Sequence, residues 1–299
     1  MIRDVHHVGI AVRNLGAAYA LYRDALGLPL VKEGDVPSRG VKAALLAVGE
    51  SYVELVQPSF DSFILPDEGL RMSGKDSLFA RHIEERGEGL HHLALWTNDA
   101  ESQVDKLRKL AVPLEDHEPR QGFTGRLSYL SPLAFDGALL EVVEPEDGLG
   151  GAPHSARSFD TSGRAGSGVT AGLARSGVVT RIDHVVLHVP SVDAACKRFE
   201  DYFGVPVKRR MERGPRSFAF LRPGDVIIEV IGPKDGGDPE SGRIAGLAFE
   251  VKGIDGLAAS LREKGYPVGE PHAALQGGRI VSVHHSGACG VPVAFIDFS

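Results

Sequence analysis

The stretch His6-His7-Val8-Gly9-Ile10-Ala11-Val12 starts the first repeat of this chain, and His91-His92-Leu93-Ala94-Leu95 repeats it in altered form. Apolar residues alternate with small or polar ones in both, which is typical of a strand with one buried face. Side chains of a strand point to opposite faces in turn. The apolar residues therefore share the face that a helix covers, and His7 and His92 point to the other face.

Each stretch begins a module in which a strand is followed by an amphipathic helix and then by further strands. A third module begins at His184 and a fourth at Ile244. Helices are predicted at 14–26, at 76–86 and from residue 99, and strands at 41–48, 52–56, 127–130, 138–143, 217–221, 226–231 and 293–298. The sequence thus predicts an α+β fold of four βαβββ modules arranged in two pairs.

The domain organisation follows from the position of a glycine- and serine-rich stretch between the pairs. We expect a first domain at 1–145, a flexible linker at 146–179 and a second, degenerate domain at 180–299. The segment 58–75 has no clear periodicity and is predicted to be a loop that forms a lid or a wall of a substrate site.

Four side chains form the candidate metal site: His7, Glu54, His92 and Glu141. Strand parity places each of them opposite the apolar, helix-covered face. Glu54 follows His7 by 47 residues and Glu141 follows His92 by 49, so two similar modules would bring the four together. Two imidazoles and two carboxylates suit one divalent ion, namely Mn²⁺, Co²⁺, Ni²⁺, Fe²⁺ or Zn²⁺.

His6 and His91 precede two of these residues, and parity assigns them to the helix-facing side. They are predicted to be partly buried, hydrogen-bonded neighbours and not ligands. His284, His285 and Cys289 lie in a glycine-rich turn, where a second metal site is not expected.

The second pair of modules keeps only half of the ligand set. His184 and Glu229 are 45 residues apart, but Gly246 and Ala294 occupy the corresponding positions of the fourth module. Since neither of these two can ligate through its side chain, residues 180–299 are predicted to bind no metal.

Composition excludes several functions. The chain has 299 residues, 33 Lys plus Arg, 40 Asp plus Glu and a formal net charge of −7. It lacks the basic stripe that nucleic acid needs and any long apolar run, so neither nucleic acid nor a membrane is an expected partner. The two cysteines suit reduced thiols, and a cytoplasmic location is expected. The expected partner is a small-molecule substrate, and a homodimer stays open.

The chain resembles the vicinal oxygen chelate (glyoxalase/bleomycin resistance/dioxygenase) superfamily, and its first half resembles methylmalonyl-CoA epimerases. The matching stretches are residues 6–12, 22–28, 53–56, 86–95 and 137–145. The resemblance implies a divalent metal on His7, Glu54, His92 and Glu141, and an acyl-CoA or other carbonyl substrate.

The same resemblance implies proton transfer next to a carbonyl, with Glu141 and Glu54 as catalytic carboxylates. An epimerase needs a base on each face of the carbanion. The family's second base is a Glu in a Pro-Glu-x-Gly-Val stretch, but the corresponding stretch here is Pro37-Ser38-Arg39-Gly40-Val41. Because Ser38 cannot take the proton, Glu54 is the remaining candidate.

Three alternatives remain open at this stage. The His, Glu, His, Glu set also occurs in glyoxalase I-like lyases, and extradiol-type dioxygenases use a duplicated architecture with two His and one carboxylate. A non-catalytic, small-molecule-sequestering protein of the resistance type is the third. Arg39, Arg120 and Arg126 are candidate anion contacts, although a solvated surface position is the preferred interpretation of each.

Overall fold

The computed structural model describes residues 1–59, 62–64, 71–73, 77–150, 177–235, 242–274 and 277–299. Most of the predicted lid at 58–75 and of the predicted linker at 146–179 lies outside the described residues.

The first half of the chain forms an eight-stranded sheet with the order β2-β3-β4-β1-β7-β10-β9-β8. Its strands are β1 (Ile2–Ala11), β2 (Leu30–Val36), β3 (Val41–Val48), β4 (Ser51–Pro58), β7 (Gly89–Thr97), β8 (Arg120–Gln121), β9 (Gly125–Tyr129) and β10 (Leu139–Pro145). Two short strands, β5 (Ser62–Ile64) and β6 (Arg71–Ser73), form a separate two-stranded sheet.

Three helices belong to this half, close to their predicted positions. Helix α1 (Leu15–Tyr19) continues as a π-helical segment (Ala20–Ala25), α2 is Leu78–Arg86 and α3 is Ala100–Lys109. The Asn14 side chain accepts a hydrogen bond from the Ala17 amide at the start of α1, and Asp99 does the same for the Ser102 amide in α3. These N-caps satisfy amides that have no partner within the helix.

The second half repeats this arrangement in another eight-stranded sheet, β12-β13-β14-β11-β15-β18-β17-β16. Its strands are β11 (Val178–His188), β12 (Val207–Arg213), β13 (Arg216–Leu221), β14 (Ile227–Pro233), β15 (Arg243–Lys252), β16 (His272–Ala273), β17 (Arg279–Val283) and β18 (Val293–Asp297). Helix α4 (Val192–Arg198) runs into a π-helical segment (Phe199–Phe203), and α5 is Ile254–Glu263. The α+β fold of repeated modules is confirmed.

The sequence did not indicate the shorter strands β5, β6, β8, β16 and β17, of which β5 and β6 lie within the predicted loop at 58–75. It also missed two seven-residue strands, β2 and β12. Both lie at an edge of their sheet and carry several charged side chains. Charges on edge strands discourage pairing with other chains, and they also remove the apolar alternation by which a strand is recognised.

By internal contacts the chain divides into two compact units. One consists of Met1–Ile10, Leu90–Gly150 and His184–Gly246, and the other of Ala11–Gly89, Leu247–Ser299 and the described part of Gly151–Asp183. The domain boundaries at residues 145 and 180 remain a prediction.

Candidate metal centre

Three predicted ligands meet in the first compact unit: His7 on β1, His92 on β7 and Glu141 on β10. The Nε2 atoms of the two histidines lie 3.0 Å apart. The Glu141 carboxylate is 3.8 Å from His7 Nε2 and 3.9 Å from His92 Nε2. All three side chains are buried, with at most 1% of their surface exposed. Among the described residues, this is the group of imidazoles and carboxylates whose ligand atoms could hold a metal ion.

Strand register explains why His92 and Glu141 meet. In the parallel pairing of β7 with β10, Glu141 lies opposite Ala94, two residues after His92. A shift of two residues keeps a side chain on the same face of the sheet. Both functional groups therefore emerge on the face that parity predicts.

Each candidate histidine ligand contacts the histidine that precedes it in sequence. His6 Nδ1 lies 2.8 Å from His7 Nδ1, and His91 Nδ1 lies 3.0 Å from His92 Nδ1. The other nitrogen of His6, Nε2, is 3.0 Å from the carbonyl oxygen of Leu149. His6 and His91 are thus hydrogen-bonded neighbours, as predicted, and they contact the candidate ligands directly. They are buried, and not only partly buried as the sequence predicted.

Burial keeps the imidazoles of β1 neutral. It lowers the pKa of His6 to about 4, although the hydrogen bond to Leu149 acts in the opposite direction. Burial also lowers the pKa of His7 well below its ordinary value, and the adjacent His6 and His92 lower it further. Neutral imidazole is the form that binds a metal.

The donor set fits a divalent transition metal. It offers two imidazole nitrogens and one carboxylate in a buried environment. Imidazole nitrogens and a carboxylate oxygen are ligands that Zn²⁺, Fe²⁺, Co²⁺ and similar ions would accept.

Two residues of the site were not singled out from the sequence. A Cβ atom at Gly9 would lie 2.0 Å from Cε1 of His92, so only glycine leaves room for this imidazole. Tyr129 on β9 pairs with Glu141, and its ring packs edge-on against that of His92 at 5.4 Å. The glycine in the repeated strand motif was the sequence signal for Gly9. The sequence contains no comparable signal for Tyr129.

Glu54, the fourth predicted ligand, belongs to the other compact unit. It lies on β4, where it is buried and pairs with Leu45 of β3. Ser38 is exposed in a short 3₁₀ helix, Pro37–Arg39, of the same unit. The roles of Glu54 as a ligand and as a catalytic group remain predictions.

The third module contains the predicted half of a site. His184 Nε2 lies 3.4 Å from a Glu229 carboxylate oxygen, and the two side chains are 12% and 16% exposed. Glu229 pairs with Val186, again two residues after the histidine. Ala294 pairs with Ala248, two residues after Gly246, so the structure agrees with the predicted correspondence for the fourth module.

The other candidates lie in ordinary structural environments. Arg120 bonds to Asp116 through its Nε atom at 3.0 Å, and the exposed Arg126 bonds to Glu101 at 2.9 Å. The rings of His284 and His285 are 4.1 Å apart and exposed. Cys196 and Cys289 are free thiols.

The sequence matches the Glyoxalase/Bleomycin resistance protein/Dioxygenase superfamily over residues 6–129 and 183–282. The chain belongs to this superfamily, whose characteristic pairing of modules the two sheets reproduce.

Particular relatives match the first half of the chain or its overall fold. The ethylmalonyl-CoA/methylmalonyl-CoA epimerase of Cereibacter sphaeroides is 30% identical over 147 residues, which cover 48% of this chain and 99% of the epimerase. Human mitochondrial methylmalonyl-CoA epimerase is 26% identical over 142 residues, 47% of this chain and 73% of that protein. A variant of 4-hydroxymandelate synthase from Streptomyces coelicolor is similar in fold over 99% of this chain and 92% of its own, with a TM-score of 0.64 and 17% identity.

Within the described residues, no helix combines the length and the apolar character needed to cross a membrane.

Proposed function

We propose that this protein is a metal-dependent enzyme that moves a proton next to the carbonyl of an acyl thioester, as methylmalonyl-CoA epimerases do. One observation carries the proposal: the half of the chain that is similar to these epimerases contains the buried cluster of His7, His92 and Glu141. In this proposal the three residues, with Glu54, hold one divalent ion.

Glu141 is the proposed base. Its carboxylate oxygen takes the α-proton, and the electron pair of the broken C–H bond moves into the thioester carbonyl to give an enolate. The bound divalent ion would supply the positive charge that stabilises this enolate. The lowered pKa of His7 makes its imidazole a poor acceptor for the proton that Glu141 takes from the substrate.

Glu54 is the proposed proton donor on the opposite face of the enolate. Glu54 begins the cycle as a protonated carboxyl group and gives its own proton to that face, which inverts the configuration. Glu54 then is a carboxylate and Glu141 holds the proton taken from carbon, and proton exchange with solvent restores both groups. Ser38 occupies the position at which the family has its second base, and its hydroxyl has too high a pKa for this role. The assignment of Glu54 rests on sequence correspondence.

A dioxygenase is the second candidate, and a specific observation favours it. The cluster consists of two imidazoles and one carboxylate within one compact unit, the donor set that non-haem Fe(II) oxygenases use. The two functions differ in whether molecular oxygen is consumed, which makes them separable by experiment.

The test is to load the purified protein with Co²⁺ or Mn²⁺ and incubate it with methylmalonyl-CoA in D₂O. We expect deuterium at the α-carbon, detected by mass spectrometry. Glu141→Gln should abolish the exchange at saturating metal, whereas Glu229→Gln, the matched change in the third module, should leave it unchanged.

Absence of exchange in the metal-loaded protein would refute the epimerase proposal. Oxygen uptake by the Fe²⁺-loaded protein with a catechol or a 2-oxo acid would then support the dioxygenase. Turnover of a glutathione hemithioacetal would indicate a glyoxalase-type lyase, and tight binding without turnover a sequestering protein.

A further inference from the structure

Arg120 lies on the same face of the sheet as the candidate metal centre. It pairs with Leu127 in the antiparallel ladder of β8 and β9, and Tyr129 of β9 pairs with Glu141 of β10. Residues opposite each other on neighbouring antiparallel strands point to the same face, as do residues two apart on one strand. Arg120, Tyr129 and Glu141 therefore share one face.

The guanidinium of Arg120 stacks on an aromatic ring that contacts a candidate ligand. Its carbon atom Cζ lies 5.7 Å from the centre of the Tyr129 ring. The Tyr129 ring is edge-on to that of His92, with 5.4 Å between the ring centres. A cation over an aromatic face is attracted by the ring. A positive charge is thus held one aromatic ring away from the candidate metal centre.

Asp116 fixes this guanidinium from a second side. Its Oδ1 atom accepts a hydrogen bond from Arg120 Nε at 3.0 Å, and its Oδ2 atom accepts one from the Tyr129 amide at 3.1 Å. The ion pair engages Nε alone, and no described residue bonds to the terminal nitrogens Nη1 and Nη2. The Arg120 side chain is 27% exposed, so a small molecule can reach it.

Arg126, the neighbouring candidate anion contact, lies on the opposite face. It precedes Leu127 on β9, and adjacent residues of a strand point to opposite faces. It pairs with Glu144 of β10 and forms an ion pair with Glu101 of α3. Arg126 therefore faces away from the metal centre, and it provides a control for the loss of one positive charge from the same strand region.

The third module contains a similar stack that lacks the second contact. Arg209 pairs with Phe220, and its Cζ atom lies 5.9 Å from the centre of that ring. Phe220 pairs with Glu229, just as Tyr129 pairs with Glu141. Arg209 is exposed, and within the described parts of the chain no carboxylate forms an ion pair with it. The ion pair that fixes the guanidinium thus distinguishes the second module from the third.

We propose that Arg120 binds an anionic group of the substrate through Nη1 and Nη2 while the substrate carbonyl lies at the metal centre. The inference rests on the proposed function, which supplies that carbonyl. Two N–H groups in one plane match two oxygens of a carboxylate or a phosphate. The substrate is therefore a negatively charged thioester, with the bound charge on the acyl group or in the CoA phosphates. Tyr129 and Asp116 are positioning residues, because they act through the guanidinium.

The test compares the affinities of Zn²⁺-loaded wild-type protein and Arg120→Gln for three thioesters, measured by isothermal titration calorimetry. Methylmalonyl-CoA carries both kinds of anion, propionyl-CoA has no acyl carboxylate, and the N-acetylcysteamine thioester of methylmalonate has no phosphate. Arg120→Gln should weaken methylmalonyl-CoA binding by about 10- to 100-fold, because a charge-assisted pair of hydrogen bonds is lost. Arg120→Lys keeps the charge but not the planar pair of donors, so its loss should be smaller.

The other two thioesters identify the anion. A loss with the N-acetylcysteamine thioester but not with propionyl-CoA would assign the acyl carboxylate. A loss with propionyl-CoA but not with the N-acetylcysteamine thioester would assign a CoA phosphate. Arg126→Gln and Arg209→Gln should change each affinity less than about twofold, as expected for exposed charges. Unchanged methylmalonyl-CoA affinity in Arg120→Gln, or an equal loss in Arg126→Gln, would overturn the proposal.

A measurement of Zn²⁺ affinity shows whether the substitution acts on the substrate or on the metal centre. Competition with a chromophoric chelator should give the same Zn²⁺ affinity for wild type and Arg120→Gln. Weaker Zn²⁺ binding that accounts for the whole loss of thioester affinity would contradict a direct contact with the anion. Should Arg120→Gln fail to fold, Arg120→Lys provides the same comparison, because a lysine ammonium can keep an ion pair with Asp116.

These measurements separate the role of Arg120 from the proposed function. If thioester binding depends on Arg120 but wild-type protein exchanges no α-proton, the epimerase proposal fails and the role of Arg120 stands. If wild-type protein exchanges the α-proton and Arg120→Gln binds every thioester as well as wild type does, the role of Arg120 fails and the epimerase proposal stands.

Discussion

In the second and fourth modules, a carboxylate on the last strand accepts hydrogen bonds from the start of the module's helix. The two modules differ at the ligand position of that strand. In the second module, Glu144 accepts a hydrogen bond at 3.0 Å from the Ala100 amide, the first residue of α3. In the fourth, Asp297 accepts hydrogen bonds from the Gly253 and Ile254 amides where α5 begins, at 2.9 and 3.1 Å. Each acceptor lies three residues after the ligand position, which holds Glu141 in one module and Ala294 in the other.

The first module also has an acceptor for its helix start three residues after the ligand position, but there the acceptor is a neutral side chain. Gln57 lies three residues after Glu54, and its side-chain oxygen accepts from the Leu15 amide at 2.7 Å. The first amides of a helix need acceptors wherever the helix packs on its sheet. The fold therefore retains these acceptors, whereas the residue on the opposite face is free to change. In the third module, His184 and Glu229 have the corresponding register, and the absence of metal binding there remains a prediction.

The largest expected effect is on metal affinity, and it should distinguish the His92 and Glu141 pair from the His184 and Glu229 pair. His92→Ala should lower affinity for a divalent metal by orders of magnitude, because one donor of a small set is lost. His184→Ala, the equivalent change in the third module, should leave metal content at about one ion per chain. Elemental analysis after dialysis measures both. Loss of metal from the His184 variant would mean that the second sheet also binds an ion.

A smaller effect is expected at Gly9. A methyl group there would collide with the His92 imidazole and displace it. We expect Gly9→Ala to reduce metal affinity at least about tenfold and the free energy of unfolding by about 1–3 kcal/mol, the usual cost of overpacking. Gly150→Ala is the control, because its Cβ would meet Trp96 at an ordinary 3.5 Å. Metal titration and urea unfolding measure the two quantities, and equal behaviour of the variants would argue against this close approach.

A third expected effect concerns the structural carboxylates Asp297 and Glu144 and depends on pH. Burial alone would raise the pKa of Asp297, but hydrogen bonds from Ser299, Ile254 and Gly253 outweigh it and lower the pKa to about 2. A lowered carboxylate pKa stabilises the fold above the ordinary value of 3.8, and the contribution disappears as pH falls towards 2. Asp297→Asn should therefore lose about 2 kcal/mol of stability at pH 7 and almost nothing near pH 2.

Glu144→Gln is the matched control for that measurement. An amide oxygen already performs this role at Gln57, so the substitution should change the free energy of unfolding by less than about 0.5 kcal/mol. Urea unfolding followed by circular dichroism from pH 2 to pH 7 compares the variants. A loss in Asp297→Asn that did not vary with pH would show that its charge is not the stabilising feature.

Sequence alone determined the modular plan and the face on which His7, His92 and Glu141 lie. Both follow from periodicity, a local property that a few residues reveal. The N-caps Asn14 and Asp99 could also be predicted from the sequence, because an N-cap involves only neighbouring residues. The edge strands β2 and β12 were missed because their charges hide the alternation.

Tertiary structure alone decided which residues surround the ligands. Parity placed His6 and His91 on the helix-facing side, but only the folded chain shows that their Nδ1 atoms reach those of His7 and His92. The approach of His92 to Gly9 and the edge-on contact of Tyr129 join strands that are distant in sequence. Such contacts depend on strand register and ring orientation, which packing of the whole unit sets and no local pattern encodes.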